Sequence, residues 1–246
     1  MSAVFFGSPQ KPLFGFQHAP AGAIEGAVLI CPPWGREYEY AHRALRVLAD
    51  RLAEKGRFVL RFDYSGTGDS WGESSDADLE RWSDDVADAV EELKLVSGAP
   101  TIDLVGLRLG GYLAARHAAE FGDAQRVVLW DPVVDGTTWI AEIQGDEPPP
   151  VPGTDPFEFG SFAVAERFVR QIEAVSRSAY DTELAPNVLH LVTVDDPPPP
   201  ERSLDGLPDV EFEHFPQPLP WIEDISIWAG QIPTRTLDRI VGWLTD

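Results

Sequence analysis

The stretch Thr101-Ile-Asp-Leu-Val-Gly-Leu-Arg-Leu-Gly-Gly-Tyr-Leu-Ala-Ala-Arg-His117 decides how the chain folds. It opens with a short, mostly apolar run that is typical of a buried strand. It then turns sharply between glycines and continues in small residues that are typical of a helix packed closely on a sheet. Because a strand leading through a tight turn into a helix is the unit of α/β folds, we expect the flanking segments to repeat this alternation.

The flanking segments alternate between strand and helix patterns. Predicted strands lie at 3–6, 11–18, 27–31, 58–62, 126–130, 187–194 and 210–215, and predicted helices lie at about 41–55, from Leu79 to Leu93 and from Leu237 to Leu244. This order predicts a mainly parallel sheet with helices on both faces, and it places ligands at the carboxyl ends of the strands. The 246 residues show no internal repeat or long linker, so we expect a single domain spanning 1–246.

The alternation breaks between Val133 and Leu184. A proline-rich loop, from Pro148 to Pro152, leads into a predicted helix whose apolar residues recur at helical spacing. These residues are Phe162, Ala165, Phe168, Val169, Ile172 and Val175. We therefore predict that residues 133–184 form a small helical lid, inserted within the domain above the carboxyl ends of the strands.

Composition excludes several classes of partner. A formal net charge of −22, with no run of lysine and arginine, argues against nucleic acid and anionic membrane surfaces. The single cysteine, Cys31, rules out an internal disulfide and favours a reducing compartment. No leader pattern opens the sequence and no apolar run approaches the ~18 residues of a membrane span, so we expect a cytoplasmic protein. We expect no metal or cofactor, and the oligomeric state is left open.

The turn itself, Gly106-Leu-Arg-Leu-Gly110, has the spacing of the G-x-S-x-G nucleophile elbow. In that motif the glycines allow a strained corner that lifts one side chain above the sheet. The lifted residue here is Arg108. Because arginine stays protonated in proteins, it cannot attack a carbonyl as a serine does.

Several motifs together resemble the α/β-hydrolase superfamily, in its serine aminopeptidase and lysophospholipase-like branch. They are the order of elements from Ala27 onward, the loop Asp63-Tyr-Ser-Gly-Thr-Gly-Asp-Ser70, the elbow, and the insertion after the following strand. More narrowly, Cys31-Pro-Pro-Trp-Gly-Arg36, Phe62-Asp-Tyr64, the elbow and Leu129-Trp-Asp-Pro-Val133 resemble the hydrolase-like proteins associated with exosortase systems. The resemblance implies a sheet of about eight strands and a pocket beneath a lid.

The same resemblance implies a histidine base and an acid beside the elbow. The base should lie between the last strand and the closing helix, but residues 216–233 contain no histidine. His214 is the nearest candidate, although Val210 and Phe212 share its face of an alternating strand, which favours a packed histidine. Candidate acids are Asp131, Asp195, Asp196 and Glu223.

Two further residues compete for the role of nucleophile. Ser70 lies in the sequence Gly68-Asp-Ser-Trp-Gly72, a literal G-x-S-x-G, but no helix is predicted to follow it directly, as the elbow requires. Cys31 ends a buried strand, where an inert packed thiol is the more frequent outcome. The prolines at 32 and 33 replace one backbone N–H that would hold an oxyanion, while the N–H of Leu109 remains.

The charge of Arg108 requires an anionic partner, because a cation at the first turn of a helix opposes the macrodipole. One possibility is an internal pair with Asp131, Asp195, Asp196 or Glu223. The other is a bound carboxylate or phosphate, held by the guanidinium together with the N–H groups of Leu109 and Gly110. Aromatic residues predicted near this face could line the ligand pocket or pack the lid down: Trp34, Tyr38, Tyr40, Tyr64 and Trp139.

Three functional hypotheses follow. The first is a protein of hydrolase fold without the serine triad, which binds an acidic or acyl-type small molecule at Arg108. The second is an active esterase or thioesterase that uses an unrecognised nucleophile, or a water activated by a carboxylate such as Asp195 or Glu223. The third is an interaction scaffold whose pocket is closed by an Arg–Asp pair.

Overall fold

The structure is a computed structural model that describes residues 1–99, 101–145, 155–217 and 232–246. Its strands are β1 (Ser2–Ser8), β2 (Lys11–His18), β3 (Gly26–Cys31), β4 (Arg57–Phe62), β5 (Ile102–Leu107), β6 (Ala124–Trp130), β7 (Phe157–Phe159), β8 (Phe162–Val164), β9 (Asn187–Val192) and β10 (Val210–His214). Its α-helices are α1 (Arg36–Glu54), α2 (Leu79–Ser97), α3 (Leu109–Phe121), α4 (Gly136–Gln144), α5 (Glu166–Glu173) and α6 (Thr234–Thr245). The alternation of strands and helices expected from the sequence is confirmed.

Eight of these strands form one sheet in the order β1-β2-β4-β3-β5-β6-β9-β10. β2 pairs antiparallel with both β1 and β4, and the strands from β4 to β10 run parallel to one another. Apolar side chains of α2 and α3 pack on one face, and those of α1 and α6 pack on the other. The eight-stranded, mainly parallel sheet with helices on both faces is therefore confirmed.

β5 lies near the middle of this sheet, and all six of its residues are buried. Because carboxyl ends of parallel strands meet at one edge, the corner after β5 lies beside the segments that follow β3 and β6. Among the described residues, no helix has both the length and the apolarity needed to cross a membrane.

Two predicted helices differ from the structure. α1 begins at Arg36, about five residues before the predicted start, so it includes a polar first turn that periodicity alone did not reveal. The helix predicted to carry Phe162 and Ala165 is shorter, Glu166–Glu173, because Phe162 belongs to the hairpin of β7 and β8. The hairpin turns at Gly160 and Ser161, which have positive φ angles of 55° and 71° and therefore stop a helix.

The insertion is thus mixed rather than purely helical in its described part. Along the sequence, α4 precedes the β7–β8 hairpin and α5 follows it. The predicted proline-rich loop, 148–152, lies outside the described residues. So do most of the loop at 216–233 and its residues Trp221, Glu223 and Asp224.

Candidate functional site

The corner between β5 and α3 has the geometry that its glycines suggest. Arg108 adopts φ 54° and ψ −119°, a positive-φ conformation that a bulky residue rarely takes. A side chain at Gly106 would collide with the backbone of Gly110 and Gly111, and one at Gly110 would collide with the carbonyl oxygens of Cys31 and Pro32. Only glycine permits this close packing, and the result is a sharp corner with Arg108 at its tip.

The guanidinium of Arg108 is held at all three nitrogens. Its Nε donates to Oε1 of Glu37 at 2.7 Å, and Nη2 donates to Oε2 of Glu142 at 2.5 Å. Nη1 lies 3.4 Å from the carbonyl oxygen of Asp131. The side chain is only 11% exposed, so a permanent charge is nearly enclosed by protein at this corner.

Glu37 is the buried half of this network. It lies in the first turn of α1, its side chain is 0% exposed, and the indole Nε1 of Trp139 donates to it at 3.2 and 3.3 Å. Burial raises the pKa of Glu37, while Arg108 and the Trp139 indole oppose the rise. Burial alone would lower the pKa of Arg108, but Glu37 and Glu142 outweigh it and hold that pKa above its usual value.

Glu142 is the accessible half of the network. It lies on α4 of the insertion, and its side chain is 41% exposed. One guanidinium thus faces two carboxylates, of which one is fixed in the core and the other reaches solvent.

The partners of Arg108 differ from those predicted. The guanidinium is paired inside the protein, as one alternative proposed, but its carboxylate partners are Glu37 and Glu142 rather than the predicted aspartates. Asp131 offers only its backbone oxygen within hydrogen-bond distance, because its carboxylate accepts from Thr193 N at 2.7 Å and Thr193 Oγ1 at 2.5 Å.

The other predicted acids lie away from this network or outside the described residues. Asp195 and Asp196 are exposed and follow β9 by three and four residues, because the strand ends at Val192, earlier than predicted. Glu223 lies outside the described residues.

The aromatic residues of the candidate pocket are packed rather than open. Trp34 and Tyr64 are 3% and 2% exposed, and Trp139 is 2% exposed on α4. Trp34 stacks on Phe159 of the insertion with ring centroids 5.9 Å apart, and Tyr64 stacks on Trp82 at 4.9 Å. Trp34 thus packs the segment after β3 against the insertion, and Tyr64 packs the loop after β4 against α2.

Tyr38 and Tyr40 precede the predicted start of the first helix but are part of α1 in the structure. The hydroxyl of Tyr38 donates to Oδ1 of the buried Asp63 at 2.7 Å. This bond joins α1 to the loop after β4.

Ser70 and Cys31, the two further candidate nucleophiles, lie in different surroundings. The Ser70 hydroxyl donates to the carbonyl oxygen of Asp63 at 2.5 Å and accepts from Phe14 N at 2.8 Å. It ties a turn to β2, and no helix follows it directly. Cys31 is fully buried at the end of β3, and burial raises the pKa of its thiol far above the usual range, so it is not a reactive thiolate.

Each of the five histidines makes its own contacts apart from the Arg108 network. His214 Nε2 binds the carbonyl oxygen of Val194 at 2.9 Å from partly buried β10, so it is less enclosed than the predicted core histidine. His190 is buried in β9 against Phe212, and burial lowers its pKa to about 3. The remaining three bind elsewhere: His18 to Asp50, His42 to the carbonyl oxygen of Glu39, and His117 to Asp123. In the described structure none is hydrogen-bonded to Arg108.

Sequence reasoning missed both carboxylates that hold Arg108. A signal existed for Glu37, because it precedes Ala41, Ala44 and Leu45 by four, seven and eight residues and so shares the buried face of α1. Extending the predicted helix by one turn would have placed a carboxylate on that face. No comparable signal marks Glu142, which lies where the βα alternation breaks.

This fold and corner define a protein of the α/β-hydrolase class. The model of the serine aminopeptidase S33 family matches residues 22–149, and the chain belongs to that family. The mitochondrial palmitoyl-protein thioesterases ABHD10 of Homo sapiens and Pongo abelii are 44% identical to it over 118 residues. Those 118 residues are 48% of this chain but only 36% of either thioesterase, so the match spans about a third of the relatives' length.

Solved structures agree on the fold. The esterase Est1E of Butyrivibrio proteoclasticus, solved with ferulic acid bound, superposes with a TM-score of 0.72 at 16% identity and covers 98% of each chain. The Pyrococcus furiosus esterase Pf2001 gives a TM-score of 0.68 at 18% identity, over 99% of this chain and 89% of the esterase. Identities this low establish a shared architecture and leave the chemistry to the site itself.

Proposed function

We propose that this protein does not hydrolyse its ligand through a serine nucleophile and instead binds a small molecule with an acidic or acyl-type head group at Arg108. The observation that carries the proposal is the guanidinium at the tip of the corner after β5. The hydrolase fold raises its nucleophile at this corner. A group that is always protonated has no electron pair for a carbonyl carbon, but it binds carboxylates well.

The ligand takes the place of Glu142 in this proposal. That side chain is 41% exposed, so its carboxylate can leave the guanidinium for water without a large desolvation cost. A ligand carboxylate can therefore compete for Nη2 while Glu37 keeps Nε. The N–H groups of Leu109 and Gly110 open α3, and first-turn N–H groups lack partners within a helix, so the proposal counts them as further donors to the ligand.

The charge balance favours a ligand with a single negative charge. Arg108 already faces the buried Glu37, so exchanging Glu142 for a monoanion leaves the local charge unchanged. A phosphate dianion would add a second negative charge beside Glu37. We therefore infer a carboxylate ligand, with the insertion at 133–184 acting as the lid that admits it.

Thermal shift with a panel of monocarboxylates and phosphate monoesters tests this proposal. Carboxylates should stabilise the wild-type protein and should stabilise Glu142→Gln more strongly, because the built-in competitor is neutralised. Arg108→Ala should show no shift, and Glu211→Gln, which changes a distant half-exposed carboxylate, should behave as the wild type. If no acid stabilises even Glu142→Gln, the corner is a closed structural ion pair and ligand binding there is wrong.

Ester or thioester hydrolysis is the second candidate. It is supported by the 44% identity to palmitoyl-protein thioesterases and by the esterases that share the fold. The nucleophile would be an unrecognised group, or a water activated by a carboxylate such as Asp195 or Glu223. Release of thiol from long-chain acyl thioesters, at rates above buffer and above a heat-denatured sample, would favour this candidate over the first.

A further inference from the structure

The carboxylate that reaches Arg108 from the insertion belongs to a glutamate, and this fixes the size of the space it fills. Oε2 of Glu142 accepts from Nη2 of Arg108 at 2.5 Å. The side-chain carbons of glutamate are the same in number and order as the carbons of a propionate ion. A free acid that takes the place of this side chain therefore enters a space of propionate size.

The backbone that carries Glu142 is held in place at both ends of α4. At the first residue of the helix, a side chain on Gly136 would collide with the carbonyl oxygen of Ile172, so the two segments touch through backbone. Near the last residue, Ile143 packs so closely on Gly160 of the β7–β8 hairpin that a side chain there would also collide. A ligand can therefore replace the Glu142 side chain while α4 stays where it is.

Aromatic rings fill the protein side of this space. Trp139 lies one turn before Glu142 on α4 and is 2% exposed, with its ring centroid 6.1 Å from that of Trp34 and 6.2 Å from that of Phe159. Trp34 in turn contacts Phe168, which is fully buried, at 5.2 Å. Among the described residues, rings packed in this way occupy the volume that a long alkyl chain or a ligand ring would need.

We propose that the Arg108 site selects a short, unbranched monocarboxylate of the size of propionate or butyrate. The inference rests on the function proposed for Arg108 and names the class of ligand for that site. The carboxylate binds Nη2 of the guanidinium, and the short chain fills the volume that the Glu142 side chain leaves. Because that side chain is 41% exposed, further methylene groups extend into water and bury little additional surface.

The dependence of affinity on chain length distinguishes this site from an apolar tunnel for an acyl chain. Each methylene that enters such a tunnel leaves water and raises the affinity about fourfold. At Arg108 the affinity should instead stop rising once the acid is as long as the side chain it replaces. Glu142→Ala is the suitable variant, because it removes the competing carboxylate and leaves its space.

Thermal shift titration of Glu142→Ala with the straight-chain acids from formate to octanoate, and with benzoate, tests the proposal. Sodium chloride holds the ionic strength constant across the series. The apparent dissociation constant should fall from formate to propionate and then stay within about twofold from butyrate to octanoate, because the later methylenes remain in water. Benzoate should bind no more tightly than propionate.

Glu80→Ala is the matched control. It also removes an exposed glutamate from an arginine, Arg116, but that arginine is 28% exposed, against 11% for Arg108. No acid in the series should stabilise this control.

Two results would overturn the inference in distinguishable ways. An affinity that keeps rising about fourfold with each methylene beyond propionate, or a preference for benzoate, would overturn the short-chain ligand and leave carboxylate binding at Arg108 standing. If no acid stabilises Glu142→Ala more than Glu80→Ala, both the ligand class and the proposed binding function are wrong.

Discussion

β5 has a buried ion pair at each of its ends. The two pairs differ in the groups that accept the other hydrogen bonds of the arginines. At the amino end, Asp103 lies 3.9 Å from Arg57 Nη1, and Arg57 and Arg126 also donate to main-chain oxygens of Leu244 and Trp243 at 2.5 and 2.8 Å. These arginines supply hydrogen-bond donors to the last carbonyl oxygens of α6, which have no donor within the helix. At the carboxyl end, Arg108 donates to the carboxylates of Glu37 and Glu142, and Glu142 reaches solvent.

The two ends differ in whether a partner of the arginine is fixed by the main chain or is a side chain that reaches solvent. Main-chain oxygens at the end of a helix cannot be exchanged for a ligand without unfolding that end. A half-exposed carboxylate on an insertion can be exchanged. The same residue type therefore binds main-chain oxygens at one end of the strand and carboxylates at the other, and the function proposed above depends on that difference.

Removing the positive charge at the carboxyl end should have the largest effect on stability. Arg108→Ala leaves Glu37 buried without its ion-pair partner, which should lower the free energy of unfolding by about 3 to 5 kcal/mol at pH 8. The pKa of Glu37 is already raised by burial and should rise further in the variant. Since a raised carboxyl pKa makes the folded state bind protons more readily, stability is lost as pH rises, and the loss should be smaller at pH 5.

Urea denaturation at both pH values measures this effect. The double variant Arg108→Ala/Glu37→Gln should recover part of the lost stability at pH 8, because the buried carboxyl is then neutral. An equal loss at the two pH values, with no recovery in the double variant, would mean that Glu37 is not the charge that Arg108 compensates.

At the amino end of β5, the carboxyl group of Asp103 should control how the free energy of unfolding depends on pH. Burial raises the pKa of Asp103 to about 6, against the opposing charges of Arg57 and Arg126. The folded state therefore holds a proton that the unfolded state releases, and this contribution fades as pH rises through about 6. At about 1.4 kcal/mol per pKa unit, the stability of Asp103→Asn relative to the wild type should improve by up to about 3 kcal/mol between pH 4 and pH 8. A constant difference over that range would contradict this.

The indole donors at the two ends offer a matched pair. Trp139→Phe removes a hydrogen bond to the buried Glu37 and should cost about 1 kcal/mol or somewhat more, because an acceptor in the core loses a donor. Trp243→Phe removes a bond to Glu211, which is 54% exposed and rehydrates, so its cost should be smaller. Chemical denaturation at one pH compares them, and a larger loss for Trp243→Phe would reverse the assignment of the two ends.

Neutralising Glu142 should have the smallest effect on stability. Because the side chain is 41% exposed, Glu142→Gln should lower the free energy of unfolding by less than about 1 kcal/mol. A loss as large as that of Arg108→Ala would show that the pair is a closed structural element, and the contrast between the two ends of β5 would disappear.

Much of the architecture could be predicted from local patterns. The apolar run at 102–107, the glycines at 106 and 110, and the small residues of α3 specify the corner without reference to the rest of the chain. Because the corner could be located from local sequence, the sequence also showed that Arg108 places a positive charge at its tip. An anionic partner could be expected on physical grounds, although several carboxylates were equally suitable.

The choice of partner depended on contacts distant in sequence. Glu37 lies 71 residues before Arg108, and Glu142 lies 34 residues after it. The first could be reached only by extending α1 by a turn, and the second lies on α4, a helix of the insertion that the sequence analysis did not predict. The predicted partner Asp131 is close by, but Thr193, which follows β9, takes its carboxylate.

The proposed function requires that Arg108, at the tip of the corner after β5, binds an anionic ligand and that no serine attacks a carbonyl carbon. Treatment of the intact protein with a fluorophosphonate probe, followed by peptide mass spectrometry, tests it most directly. We predict no covalent adduct on any serine, Ser70 included, under conditions that fully label a serine esterase run in parallel. A stoichiometric serine adduct that blocks ester or thioester hydrolysis would contradict the claim.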